Sequence, residues 1–98
     1  PAADESASRG WPDDLAEIVY IDHYGNAITG LRGAVLPPKA RLIAGGRTIA
    51  PAATFSAVPP GESFWYTNSN GLAEIAVNGG RADTALSLAI GSEIVVET

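Results

Sequence analysis

The chain of 98 residues has no cysteine and no methionine, a single histidine, and six lysines and arginines against eleven aspartates and glutamates. Without cysteine there is no disulfide staple and no thiolate metal site. With one histidine a metal centre would have to be built almost wholly from carboxylates, and no such cluster stands out. The formal charge of −5 argues against a nucleic-acid or anionic-membrane partner, because nothing here neutralises a run of phosphates. No apolar run approaches the roughly 20 residues that span a bilayer, and no signal-peptide core is present. The expected location is therefore cytoplasmic. The chain begins at Pro1 and not at a methionine, which reads as a processed chain or one excised from a longer protein.

What remains is a composition for strands. Apolar residues make up 46% of the chain, enough for one domain with one core, and seven prolines and eleven glycines punctuate it. Residues 1–14 are polar and acidic with scattered Pro, Gly and Ser, and read as a linker or tail; Trp11-Pro12 is its one apolar spot. From 15 to 98 the pattern predicts short strands joined by tight turns. Residues 15–22 form the first, with Ala16, Ile18, Tyr20 and Asp22 on one face, and 27–31 its hairpin partner. Residues 33–39, with Pro37-Pro38, read as a crossover. Residues 41–44 and 47–50 flank a Gly45-Gly46 turn, and 53–58 make a short strand bounded by prolines. Residues 63–67 and 72–77 pair across Asn68-Ser69-Asn70-Gly71. Ala82, Ala85, Leu86 and Ala89 fall on one helical face, with Gly91 placed as a C-cap, and 93–97 close the chain as a strand with Ile94 and Val96 inward. The expected fold is all-β: a small antiparallel barrel or closed sandwich of about seven short strands, with one short helix near the C-terminus.

Two stretches carry more than turn chemistry. The first is Tyr20-Ile21-Asp22-His23-Tyr24-Gly25-Asn26-Ala27-Ile28-Thr29. By residue type alone it is a hairpin, since Gly and Asn both tolerate positive φ. It also resembles the Asp-x-Phe/Tyr-Gly-Asn-x-x-Thr signature opening the C-terminal domain of the S-adenosylmethionine (SAM) hydroxide adenosyltransferases, a family that includes SAM-dependent fluorinases and chlorinases. The second stretch, residues 66–80, contains Asn68-Ser69-Asn70-Gly71-Leu72-Ala73-Glu74-Ile75-Ala76-Val77-Asn78. It is similar to the family's Asn-Ser-x-Gly-x-Leu-x-Ile-Ala-x-Asn block. Thr54-Phe55 between them resembles a family Thr-Phe/Tyr pair. The resemblance runs from about residue 15 to the C-terminus.

What the resemblance implies is a C-terminal half-site for SAM or adenosine. Phe55 would stack on the adenine and Asn26 pair with its edge, with Tyr24 in the same motif and the backbone at Asn78-Gly79 closing on that edge. Asp22 would lie at the methionine end beside the ammonium group. Ser69, Asn70 and their turn amides would face the methionine carboxylate, with Tyr66 lining that end. Catalytic residues are expected in an N-terminal domain outside this chain. SAM is substrate, no cofactor or metal is implied, and the family assembles as homotrimers with sites between domains of neighbouring subunits. Halogenating members carry Arg where this chain has Asn70 and Trp where it has Ile28, so the resemblance points to the branch that uses water or hydroxide. On the residues alone, Phe55 and Tyr66 serve equally as core aromatics, Asn68 and Asn70 as turn formers, and His23 as a solvated turn residue beside Asp22. A second reading is a stand-alone, non-catalytic barrel that binds a nucleotide-like ligand or a protein partner.

Overall fold

In the computed structural model, residues 14–53 and 55–98 are described, with the Phe55 side chain excepted; Trp11 and Thr54 lie outside the described residues. The strands are β1 (Leu15–Ile21), β2 (Ala27–Arg32), β3 (Arg41–Ala44), β4 (Arg47–Ile49), β5 (Ser63–Thr67), β6 (Leu72–Val77) and β7 (Val95–Glu97), with one α-helical turn, α1 (Ala82–Ala85), between β6 and β7. They form two antiparallel sheets: four strands in the order β1-β2-β6-β5, and three in the order β4-β3-β7.

The sheets do not close into one continuous ladder. Single bridges join them at two seams, Glu17 with Glu93 and Pro51 with Trp65. At the second seam the Trp65 N–H donates to Ala50 O and the Ala52 N–H to Trp65 O, both at 3.0 Å. Proline is tolerated at this seam because the pairing uses the backbone of its neighbours Ala50 and Ala52 and not the N–H that Pro51 lacks. The core lies between the sheets, with Ile18, Leu42, Ile49, Ile75 and Thr29 among its most buried side chains. Thr29 is the last residue of the first motif, and its position serves the fold: Oγ1 donates to Ala73 O at 2.8 Å and accepts from the Leu31 N–H at 3.1 Å. A buried hydroxyl is tolerated when both capacities are used in this way.

β6 fixes where the site falls. It sits between β2 and β5 and is buried from Ala73 to Val77. Ala73, Ile75 and Val77 join the central apolar cluster, while Glu74 and Ala76 do not. By the alternation of a strand they face the outer side of the four-stranded sheet. Opposite them on β5 stand Tyr66, paired with Glu74, and Phe64, paired with Ala76. The Phe64 and Tyr66 rings stack at 5.9 Å between centroids.

Three expectations are corrected. Of the strand expected over 53–58, the described residues form none: a 3-10 turn, Phe55–Ala57, stands there, in a segment hemmed by Pro51 and Pro59-Pro60. The expected short helix is present but is a single turn, with Ala89 of its apolar face beyond its end. Ser87 has φ 55, which ends it and lets both Leu86 and Leu88 enter the core; Gly91 instead donates its N–H to Ile18 O. In β1, register shifts between Leu15 and Ile18 and between Ile18 and Tyr20 break the alternation. Ile18 is therefore buried while Tyr20 is exposed.

Candidate functional site

The β1–β2 hairpin turns on Asp22. Its Oδ1 accepts the backbone N–H of Tyr24 and of Asn26, both at 2.9 Å. The Gly25 N–H donates to Asp22 O and the Asp22 N–H to Asn26 O, each at 3.0 Å. Gly25 has φ +83, and a Cβ there would stand 2.7 Å from the Cβ of Arg81. Glycine is thus demanded twice, by the left-handed backbone and by the side chain lying across it.

Arg81, the residue just after the second motif, clamps this turn. Its Nη1 donates to His23 O at 3.1 Å, and Nε and Nη2 donate to the two carboxylate oxygens of Asp83 at 3.1 and 3.0 Å. The Asp83 N–H in turn donates to Gly25 O. The Arg81 hydrogen bond holds the Asp83 carboxyl below the usual carboxylate range and raises the guanidinium in return.

The turn between β5 and β6 repeats the device. Asn68 Oδ1 accepts from the N–H of Asn70 at 2.9 Å and of Leu72 at 3.0 Å. A side-chain oxygen that caps amides two and four positions on is an Asx-type turn in both places.

Glu74 ties the two turns together. Oε2 accepts from Asn26 Nδ2 at 3.0 Å and from the Tyr66 hydroxyl at 2.6 Å; Oε1 accepts from Asn68 Nδ2 at 3.0 Å. Glu74 is 6% exposed, and a carboxylate so buried is stable only with donors of this kind. Burial first, then the Glu74 hydrogen bond, pushes the Tyr66 phenol above its ordinary range. Tyr66 therefore stays a protonated donor.

Around this network lies an open depression of about 730 Å³ lined by Asp22, Tyr24, Asn26, Tyr66, Glu74, Val77, Gly79, Gly80 and Arg81. Five of the eight residues singled out in the sequence are brought together there: Asp22, Tyr24, Asn26, Tyr66 and Gly79. Tyr24 is 74% exposed at its rim, with the His23 ring edge-on to it at 5.5 Å. Ser69 and Asn70 do not line the depression; both lie on the neighbouring turn. Phe55 lies in the 3-10 turn, and its side chain is outside the described part. Glu74 and Arg81 are additions that the sequence reading does not single out. Their signals are a lone carboxylate inside an apolar strand and a lone arginine after a Gly-Gly turn.

Chemically, the depression offers an exposed aromatic face, an amide, a phenol, a carboxylate and a guanidinium. Asp22 Oδ1 is occupied by turn amides and His23 is exposed, so the pair does not form a nucleophile and base aimed inward. Among the described residues no group of three or more His, Cys, Asp or Glu could hold a metal ion. No helix among them is long and apolar enough to cross a membrane. A second depression of about 670 Å³ is lined chiefly by small and proline residues such as Gly33, Ala34, Pro38, Pro51 and Ala52. Trp65, Tyr66 and Thr67 line it as well, so Tyr66 borders both depressions.

Residues 16–95 match the family described as SAM hydroxide adenosyltransferase C-terminal domain. The chain is 38% identical over 82 residues to an (R)-S-adenosyl-L-methionine hydrolase of Salinispora arenicola, covering 83% of this chain and 31% of that protein. It is 41% identical over 78 residues to one of Thermus thermophilus, covering 80% and 30%. The chain thus spans about a third of the length of these curated relatives. Among solved structures, a conserved hypothetical protein from Thermus thermophilus superposes with a TM-score of 0.71 at 36% identity, covering 82% of this chain and 31% of the other. An uncharacterized conserved protein from Thermotoga maritima gives 0.72 at 30% identity, covering 84% and 35%.

Proposed function

The chain belongs to the SAM hydroxide adenosyltransferase C-terminal domain family, and from that premise we propose that its depression is the adenosyl-binding wall of a SAM-hydrolysing site. The observation that carries this reading is the convergence of Asp22, Tyr24, Asn26, Tyr66 and Gly79, drawn from both motifs, on one surface. An exposed aromatic such as Tyr24 offers a face for a base to stack on, and the Asn26 amide offers directional pairing with its edge. Phe55 adds a second stacking face in this reading. Asp22, Ser69 and Asn70 stand toward the methionine end.

The reaction proposed for the complete protein is attack of a water or hydroxide oxygen on C5′ of SAM. The new C–O bond forms as the C5′–S bond breaks and its electron pair returns to sulfur. The products are adenosine and methionine, and the attacking water's proton passes to solvent or a base. Because the sulfonium loses its charge, the site has no large new charge to stabilise there. Holding the nucleophile in line and stripping its water carry the rate enhancement. The groups that do this are assigned to an N-terminal domain, of the same or a neighbouring subunit in a homotrimer, in a cytoplasmic protein without cofactor or metal.

Asn26→Ala is expected to weaken adenosine or SAM binding by about 1–3 kcal/mol, from lost edge pairing, while the fold persists. Calorimetry on the complete protein, with circular dichroism as the fold control, measures both. Unchanged affinity in a folded variant would move the base elsewhere on the surface.

A further inference from the structure

Resting on the adenosyl reading above, we infer that Glu74 is a positioning residue: it locks the Asn26 side chain with its oxygen toward the ligand and thereby selects a 6-amino purine over a 6-oxo purine. An asparagine amide has two orientations related by a flip, and only its hydrogen-bond partners choose between them. The backbone of Asn26 is already fixed on both sides, its N–H by Asp22 Oδ1 and its carbonyl by the Asp22 N–H. The freedom left is in the side-chain torsions, and the Glu74 bond restrains these and selects one amide orientation. Oε2 stands 3.0 Å from Nδ2 and also accepts the Tyr66 hydroxyl at 2.6 Å. A flipped amide would press its oxygen against that carboxylate oxygen, two acceptors with no proton between them. Oε1 is itself held by Asn68 Nδ2 at 3.0 Å, so the carboxylate has no room to turn aside. With one N–H of Nδ2 donated inward to Glu74, Oδ1 is the acceptor offered to the depression. An acceptor pairs with the exocyclic amine of adenine and opposes the carbonyl of hypoxanthine.

A ligand with a 6-oxo group would need the flipped amide, and so would need Glu74 gone. In Glu74→Gln the substituted side chain supplies its own N–H, accepts either amide orientation and lets the flip follow the ligand. The test is nuclear magnetic resonance titration of the 98-residue chain with adenosine and, separately, with inosine. It follows the amides of residues 22–26 and the Asn26 side-chain NH₂. The wild type is expected to favour adenosine about tenfold or more, the scale of one good directional base contact, and Glu74→Gln to bring that ratio close to one. A purely structural role would weaken both nucleosides together and leave the ratio standing. That result overturns the positioning role while leaving the adenosyl site in place. If neither nucleoside moves these residues in the wild type, both the inference and the site assignment fall. Should Glu74→Gln not fold, a scalar coupling across the hydrogen bond from Asn26 Nδ2 to the Glu74 carboxylate carbon in the wild type decides. Its presence supports the lock and its absence overturns it.

Discussion

Adenosine release from SAM is expected to be undetectable with the 98-residue chain alone and restored in the complete protein. The physical reason is enclosure. Small-ligand sites bury most of the ligand's surface between walls, whereas this depression is open, with Tyr24 74% exposed at its edge. One wall supplies stacking and a few hydrogen bonds, which correspond to a Kd of about a millimolar or weaker. It leaves the nucleophile hydrated and unaligned, and alignment alone is worth about 7–11 kcal/mol in a well-built site. Nor does the wall hold an activated nucleophile: Asp22 is engaged in its turn and His23 faces solvent. Chromatography of the products after prolonged incubation measures this. Multiple turnover by the isolated chain would overturn the half-site account and return attention to Asp22 and His23.

Trp65→Ala is expected to destabilise the fold by about 3–5 kcal/mol, the usual cost of emptying a large aromatic site in a core. Against a total of about 5–15 kcal/mol for a domain, that loss leaves little. Trp65 is 4% exposed and belongs to the central apolar cluster. Its Nε1–H donates to Ala40 O at 2.9 Å, and its backbone makes the seam with Ala50 and Ala52. Truncation empties the core and orphans a carbonyl just where the two sheets are joined most thinly. Tyr66→Phe, its neighbour on the outer face, removes one donor from Glu74 and no core volume, so it is the matched control. Urea denaturation compares them. A Trp65→Ala loss no larger than that of Tyr66→Phe would mean the seam does not depend on this ring.

Much of this is legible in the residues, for identifiable reasons. β5 and β6 stand where the sequence places them because Asn68-Ser69-Asn70-Gly71 punctuates them sharply and both runs are apolar or aromatic. The 22–26 turn is legible because Gly25 takes a positive φ at no steric cost and an aspartate at 22 can cap the amides that follow it. The segment 53–58 misleads because apolar alternation over a few residues does not distinguish a strand from an irregular stretch between prolines. The helix is shorter than its period suggests because the spacing of Ala82, Ala85, Leu86 and Ala89 ignores the pull of Leu88 into the core. Tertiary burial overrides local period there. Glu74 escapes notice for a different reason. β6 is buried on both faces, so alternation does not say which face is the core, and the partners of a lone carboxylate lie on two distant turns. Arg81 acts by lying across Gly25, a contact made only once both motifs have folded together.

The most direct measurement is an amide shift map of the 98-residue chain titrated with adenosine. The account predicts that perturbations centre on residues 22–26, Tyr66 and 78–81, saturating in the millimolar range or beyond, the scale of a few contacts. Shifts confined to the surface around Gly33, Pro38 and Pro51, or none at the depression at all, would contradict it.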